Sequence, residues 1–256
     1  MEQYNADTFN LRLKASLIRK ENKEEVPNNI AFVIPTFNHP PDRICNSVTE
    51  NFNVLRNQII VVNDGSSIQF KVPENITEIK HKMNLGLARS LLSGYREAIN
   101  LPVEYIVRVD ADCEYSIFRA KQIIEILDQS SHLIGGFVEM KRSINSSGIA
   151  DAIFHNVMGY FEGVTMLGKP FLQHSPGLQV YKKNTLVSIF PKLESFVAQY
   201  NPRWGLDLVV IKFASKQGEL FSIRDLDHSW RERRPIGKLI SQGITAISIL
   251  KALQKL

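Results

Sequence analysis

Cysteine is scarce in this chain. Cys45 and Cys113 are the only two in 256 residues, too few for a disulfide framework and without the paired spacing of a zinc site. A reducing, cytoplasmic setting is the simplest expectation. Long apolar runs are lacking too, since none approaches the roughly 20 residues that span a bilayer. The opening MEQYNADTFN does not set a basic stretch before an apolar one, so it does not read as a signal peptide. Neither charge dominates: 31 lysines and arginines face 26 aspartates and glutamates, a net of +5. That mild balance suits a small anionic substrate better than a nucleic acid. Two phosphate-binding patterns are also missing. No Gly-x-Gly-x-x-Gly follows the first strand, and no complete Gly-x-x-x-x-Gly-Lys-Ser/Thr occurs, which counts against an NAD-type site and a P-loop.

What is present suits one α/β domain, and 44% hydrophobic residues can fill its core. Residues 1–28 are polar and charged and read as a leader. Apolar runs at 30–35, 58–62, 105–109 and 133–140 read as strands. Between them, 42–53, 85–100 and a stretch capped by Ser116 read as helices. This alternation predicts βαβ units, right-handed crossovers and a mostly parallel sheet flanked by helices. Beyond residue 141 the pattern loosens. A helix near 151–166, strand pieces over 168–183, a helix over 204–216, a strand over 219–226 and an amphipathic helix over 238–256 are expected. The chain thus divides into a leader (1–28), a first half (29–140), a second half (141–237) and a terminal helix (238–256).

The sharpest feature is Tyr105-Ile-Val-Arg-Val-Asp110-Ala-Asp112. A buried strand delivers two carboxylates to its C-terminal edge, where open α/β sheets bind ligands. Pro35-Thr36-Phe37-Asn38 ends the first strand, and Asn63-Asp64-Gly65-Ser66-Ser67 ends the second. Asn84, Gly86 and Arg89 open the next helix. Each has an ordinary structural reading as a turn or a helix start, but a parallel sheet brings all of them to one edge. The chemistry suggested is nucleotide binding. A base could lie on Pro35–Phe37 while Asp64 accepts from a ring N–H. Diphosphate charge would then call for a cation, and Asp110 and Asp112 are hard oxygen donors suited to Mg²⁺ or Mn²⁺.

The second half adds two segments. Arg203-Trp204-Gly205-Leu206-Asp207 opens a helix; Asp207 is either a helix-terminal anion or a general base for an acceptor hydroxyl. Trp204 is a sugar platform or a core filler. Asp227-His228 follows a strand and precedes Arg231, Glu232, Arg233, Arg234 and Lys238. His228 is a candidate third metal ligand. The basic cluster either neutralises a diphosphate or forms a solvated loop. The loop over 141–150 and the basic segment are candidate lids.

Taken together, Ile34-Pro35-Thr36-Phe37-Asn38, Val61-Val62-Asn63-Asp64-Gly65-Ser66, Asn84-x-Gly86-x-x-x-Ser90 and Val109-Asp110-Ala111-Asp112 resemble the signature of the family 2 glycosyltransferases, of GT-A fold. The resemblance runs from about residue 30 to 140. It implies a UDP- or GDP-linked sugar donor and a divalent metal. It places Pro35, Thr36, Phe37, Asn38 and Asp64 at the nucleoside, and Asn84, Gly86, Arg89 and Ala111 in the donor pocket. Asp110 would serve the ribose or the metal, and Asp112 the metal. Asp110-Ala111-Asp112-Cys113-Glu114 is similar to the Asp-Ala-Asp-x-Gln of polyprenyl-phosphate mannosyltransferases. Arg234-Pro235-Ile236-Gly237-Lys238-Leu239 is similar to their Arg…Gly-x-Ser-Lys-Leu, although shorter and without the serine. Trp204-Gly205-Leu206-Asp207 with Asp227-His228 is more similar to GT-A enzymes that use a histidine ligand.

The expectation is therefore a metal-dependent, inverting glycosyltransferase. Asp207 is its base, and Trp204, Arg231, Arg234 and Lys238 contact acceptor or diphosphate. The acceptor is a saccharide, a lipid phosphate or a small molecule. A sugar-nucleotide pyrophosphorylase is the first rival, but it would carry a glycine-rich basic loop where Pro35–Asn38 stands. A glycoside hydrolase fits poorly, because its carboxylates flank a bond instead of sitting one residue apart. A silent nucleotide-sugar-binding module would not need Asp207 or His228. The terminal helix, with Leu239, Ile240, Ile247, Leu250 and Leu253 along one side, is expected to pack on the core or a second subunit, or to rest on a membrane surface.

Overall fold

Strand formation follows the β-branched runs. Val and Ile are stiff at χ1 and pack well on a pleated surface. The computed structural model describes residues 29–113, 115–140, 149–168, 176–225 and 236–253. Its strands are β1 (Ile30–Thr36), β2 (Ile59–Asn63), β3 (Thr77–Lys80), β4 (Tyr105–Val109), β5 (Leu133–Met140), β6 (Leu178–Lys182) and β7 (Glu219–Asp225). Its helices are α1 (Asp42–Asn51), α2 (Leu87–Ala98), α3 (Phe118–Asp128), α4 (Ile149–Leu167), α5 (Lys183–Tyr200), α6 (Leu206–Ala214) and α7 (Ile236–Leu253).

The seven strands form one sheet in the order β3-β2-β1-β4-β6-β5-β7. β1 pairs parallel with both β2 and β4, and β2 with β3. β6 runs antiparallel between β4 and β5, and β7 lies parallel to β5. All strands except β6 therefore end on the same edge. Two apolar clusters cover the two faces. One contains Ile44, Val48 and Phe52, from α1 and its C-terminal end, with Ile123 and Ile124 of α3. The other contains Leu91 and Tyr95 of α2, Leu186 and Phe196 of α5, Val209 of α6 and Ile249 of α7.

The expected alternation over the first 140 residues is present, with β4 and β5 at the expected bounds. Three features depart from the sequence reading. β3 is an edge strand of alternating half-buried and exposed residues, too short and polar to stand out as an apolar run. α5 is a helix that the sequence does not announce, because Pro191 lies inside it. Pro191 lacks the N–H that would bond four residues back, at Val187; that residue is exposed, so water can serve its carbonyl. Ser116 does not occupy the cap of α3: Ile117 does, and the Ser116 carbonyl accepts Arg119 N–H at 2.9 Å. Among the described residues, no helix is long and apolar enough to cross a membrane. The leader over 1–28 and the 141–148 loop lie outside the described residues.

Candidate functional site

The site begins where β1 and β2 end together. Thr36 stands in register with Asn63, and Asp64 N–H donates to the Thr36 carbonyl at 2.9 Å. Pro35 and Thr36 are buried, whereas Phe37 is 48% exposed just beyond the strand. Asn38 takes a left-handed conformation, φ 54°, which asparagine tolerates better than most residues. Its N–H donates to Ser66 Oγ at 2.9 Å, and its side-chain oxygen accepts from Ser67 N–H at 2.7 Å. The loops after β1 and β2 are thus tied together, and both border the edge.

Asp64 lies inside this edge, almost fully buried. Its Oδ1 accepts from Leu85 N–H at 2.9 Å and from His81 Nδ1 at 2.7 Å. Its Oδ2 accepts from Gly86 N–H at 2.8 Å. The carboxylate expected to face a base is engaged in shaping the turn into α2. His81, which the sequence reading passed over, reaches on to Ser93 Oγ at 3.1 Å.

That turn is pressed against the segment before α6. Gly86 has φ 95°, and a β-carbon on it would lie 2.4 Å from the Arg203 carbonyl oxygen. Ala88 N–H donates to the same carbonyl at 3.3 Å. The Arg203 side chain bonds Asn84, and Arg89 donates to Asn201 Oδ1 at 2.9 Å. Asn84, Gly86 and Arg89 are therefore joined to residues more than a hundred positions later. Trp204 is half-buried and packs against the core cluster.

β4 brings the acidic pair to the edge. Ala111 is buried, Asp110 is half-buried and Asp112 is exposed. Beneath them lies Arg108, 1% exposed and the largest fully buried side chain described. Its Nη2 donates to Asp110 Oδ1 at 2.7 Å, and its Nη1 donates to the Pro176 carbonyl at 2.6 Å. Gln179 donates to that carbonyl at 3.1 Å. Asp110 N–H donates to the Gly177 carbonyl at 3.2 Å, and Gly177 N–H to Tyr115 Oη at 2.6 Å. A β-carbon on Gly177 would sit 2.5 Å from Asp110 Oδ2, so this close approach admits only glycine.

Asp207 occupies the first turn of α6 and is fully buried. Burial opposes the charge on Arg108, but Asp110 and then Asp207 outweigh it and hold the guanidinium firmly protonated. Burial raises the Tyr95 phenol well above its ordinary value. Arg108 offsets part of that rise, and Asp207 and Asp110 add to it. Asp110 bonds Arg108 directly, and the negative charge of Asp207 adds to the field that favours this buried cation. Arg108 was missed in the sequence, where its only signal was a charge interrupting an apolar strand.

Asp225 ends β7 opposite Met140 of β5, on this same edge. It is buried and accepts from Arg119 at 3.1 Å. His228, Arg231 and Arg234 follow it but lie outside the described residues, as do Glu114 and the Lys238 side chain. Among the described residues, no cluster of three His, Cys, Asp or Glu side chains is suited to a metal.

Residues 31–190 match the model of glycosyl transferase family 2. Among solved structures, a mycobacterial protein superposes with a TM-score of 0.57 at 13% identity, over 88% of this chain and 74% of its own. Mannosyl-3-phosphoglycerate synthase from Rubrobacter xylanophilus gives 0.56 at 13% identity, over 89% of this chain and 75% of its own. These likenesses are of fold, the mostly parallel GT-A sheet with its flanking helices. No curated protein matches the sequence.

Proposed function

The chain belongs to glycosyl transferase family 2, and from that premise we propose that it moves a sugar from a nucleoside-diphosphate donor to a hydroxyl or phosphate acceptor. One observation carries the reading: the ends of β1, β2 and β4 and the start of α2 converge on one sheet edge, within the matched span. In this proposal residues 29–140 hold the donor and 141–237 the acceptor. The base, of a UDP- or GDP-linked donor, lies on exposed Phe37 beside the joined loops of Pro35–Asn38 and Asp64–Ser67. Asp64 orders the wall formed by Asn84, Gly86 and Arg89.

A divalent cation, Mn²⁺ or Mg²⁺, fits the donor chemistry of the edge. The exposed Asp112 carboxylate and Asp110 Oδ2 are hard oxygens, and Arg108 occupies Asp110 Oδ1. His228 is the proposed third ligand. Bound there, the cation would screen the diphosphate and stabilise the leaving group. Arg231, Arg234 and Lys238 supply further positive charge to that group. Asp207 is the proposed base of an inverting transfer. Its complete burial favours a second role, in which it backs Arg108 and thereby positions Asp110 without touching the acceptor.

The test is calorimetric titration of UDP, GDP and their sugar conjugates, with and without Mn²⁺. One base is expected to bind, more tightly with metal, and Asp112→Ala is expected to abolish the metal dependence. No binding of any donor removes the proposal, and unchanged metal dependence in the variant removes Asp112 as a ligand.

A further inference from the structure

Behind the wall formed by Asn84, Gly86 and Arg89 lies a chain of three side chains. His81 directly follows β3, and its backbone N–H donates to the Asn63 carbonyl at 2.9 Å. That bond holds the residue beside the end of β2. Its ring then spans two elements. Nδ1 meets Asp64 Oδ1 at 2.7 Å, and Nε2 meets Ser93 Oγ of α2 at 3.1 Å. The His81 and Asp64 side chains are nearly buried, at 9% and 4% exposure. Among the described residues, the imidazole is the one side chain bonded to Asp64; its other partners are the backbone N–H groups of Leu85 and Gly86.

The hydrogen-bond roles follow from these partners. Both Asp64 oxygens accept backbone N–H, so Oδ1 accepts from His81 as well and Nδ1 carries a proton. In the neutral ring Nε2 is then the acceptor, and the Ser93 hydroxyl donates to it. Ser93 thus favours the tautomer that Asp64 requires.

An imidazole and a carboxylate under a turn add little stability over apolar packing of the same volume. What they add is direction. With His81 in place, the carboxylate points one oxygen at each of two successive N–H groups. The second belongs to Gly86, whose φ of 95° turns the chain into α2. Where Asp64 points therefore decides how Asn84, Gly86 and Arg89 stand at the edge.

We propose that His81 is a positioning residue, which sets the 84–89 turn through Asp64. Its bearing on sugar transfer rests on the donor reading of that turn; its hold on the turn itself does not.

The test compares His81→Ala, His81→Asn and Ser93→Ala in the full chain. The asparagine amide can donate from about the place of Nδ1 but falls short of Ser93. Amide hydrogen exchange is followed by NMR without ligand, and UDP and GDP affinity by calorimetry with Mn²⁺. In His81→Ala the Leu85 and Gly86 amides should exchange about tenfold faster. Leu91, buried in α2, should keep the parent rate. Affinity for the nucleoside diphosphate that the parent binds should fall about tenfold, and His81→Asn should recover most of both losses. Unchanged exchange at Leu85 and Gly86 overturns the proposal. So does an equal rise at Leu91, which marks general loosening, or an asparagine variant no better than alanine. A parent that binds neither nucleotide removes the donor reading instead, and exchange alone then decides the role of His81. Should His81→Ala not fold, Ser93→Ala carries the test. Exchange at Leu85 and Gly86 should then rise severalfold, and parent-like rates overturn the proposal.

Discussion

Arg108 Nη2 donates to Asp110 Oδ1 at 2.7 Å from a position with almost no exposed surface. The other terminal nitrogen of the same guanidinium holds the Pro176 carbonyl at 2.6 Å. A single fork therefore fixes both the first acid of the edge and the chain entering β6. Only arginine offers two directed donors of this kind from one planar group.

Arg108→Lys should break that fork while keeping the charge. One of the two bonds is lost, at a cost of roughly 2 kcal/mol for a bond to a charged group. Asp110 then has a second rotamer open to it, and Mn²⁺-dependent nucleoside-diphosphate binding should weaken about tenfold. Thermal denaturation and calorimetry read the two effects separately. Parent-like binding in a destabilised variant would show that Asp110 holds its place without the fork.

Gly86→Ala should be costly although it adds one methyl group. The backbone sits at φ 95°, and the new carbon would lie 2.4 Å from the Arg203 carbonyl oxygen. Strain of this kind costs about 1–3 kcal/mol, before the clash is relieved by moving the 201–205 segment. Urea denaturation should show the loss, and donor binding should fall with it. A neutral result would mean that the two segments separate freely.

Asp207→Asn distinguishes the two roles proposed for that carboxylate. A base that touches only the acceptor can be removed with donor affinity intact, while turnover falls by about a hundredfold or more. A residue that positions Asp110 through Arg108 changes metal-dependent donor affinity as well. Donor titration and single-turnover rates, measured on the same preparation, decide between them.

Alkaline pH should destabilise the fold. Burial first, then Asp42, pushes the Cys45 thiol from 9.0 up to about 12. Burial likewise raises the Tyr95 and Tyr181 phenols. Above about pH 9 the unfolded chain releases protons that the fold retains, so the native state binds more protons and stability declines as pH rises. The stabilisation from Cys45 is complete below about pH 9 and disappears by about pH 12. Urea midpoints at neutral and alkaline pH should show this decline, and Cys45→Ala should make it shallower.

Much of the first half was legible because its signals are local. A run such as Ile59–Asn63 is buried along its full length, and a helix such as α2 buries the residues its period selects. Once strands and helices alternate, crossover handedness puts the strand ends on one edge. Pro35–Asn38, Asp64 and Asp110–Asp112 could therefore be grouped without coordinates. β3, α5 and the direction of β6 could not. β3 has little apolar content, α5 contains a proline, and the direction of β6 depends on partners at both sides.

The sequence by itself determined the parallel frame, the acidic edge and the basic cluster after His228, because composition and period are properties of neighbouring residues. The tertiary structure alone decided what those residues face. It buried Asp207, turned Asp64 toward the backbone of Leu85 and Gly86, and set Arg108 beneath Asp110. These outcomes depend on contacts between residues far apart in the chain, such as Gly86 with Arg203. No local period encodes such a contact, because its free energy exists only when both segments are in place.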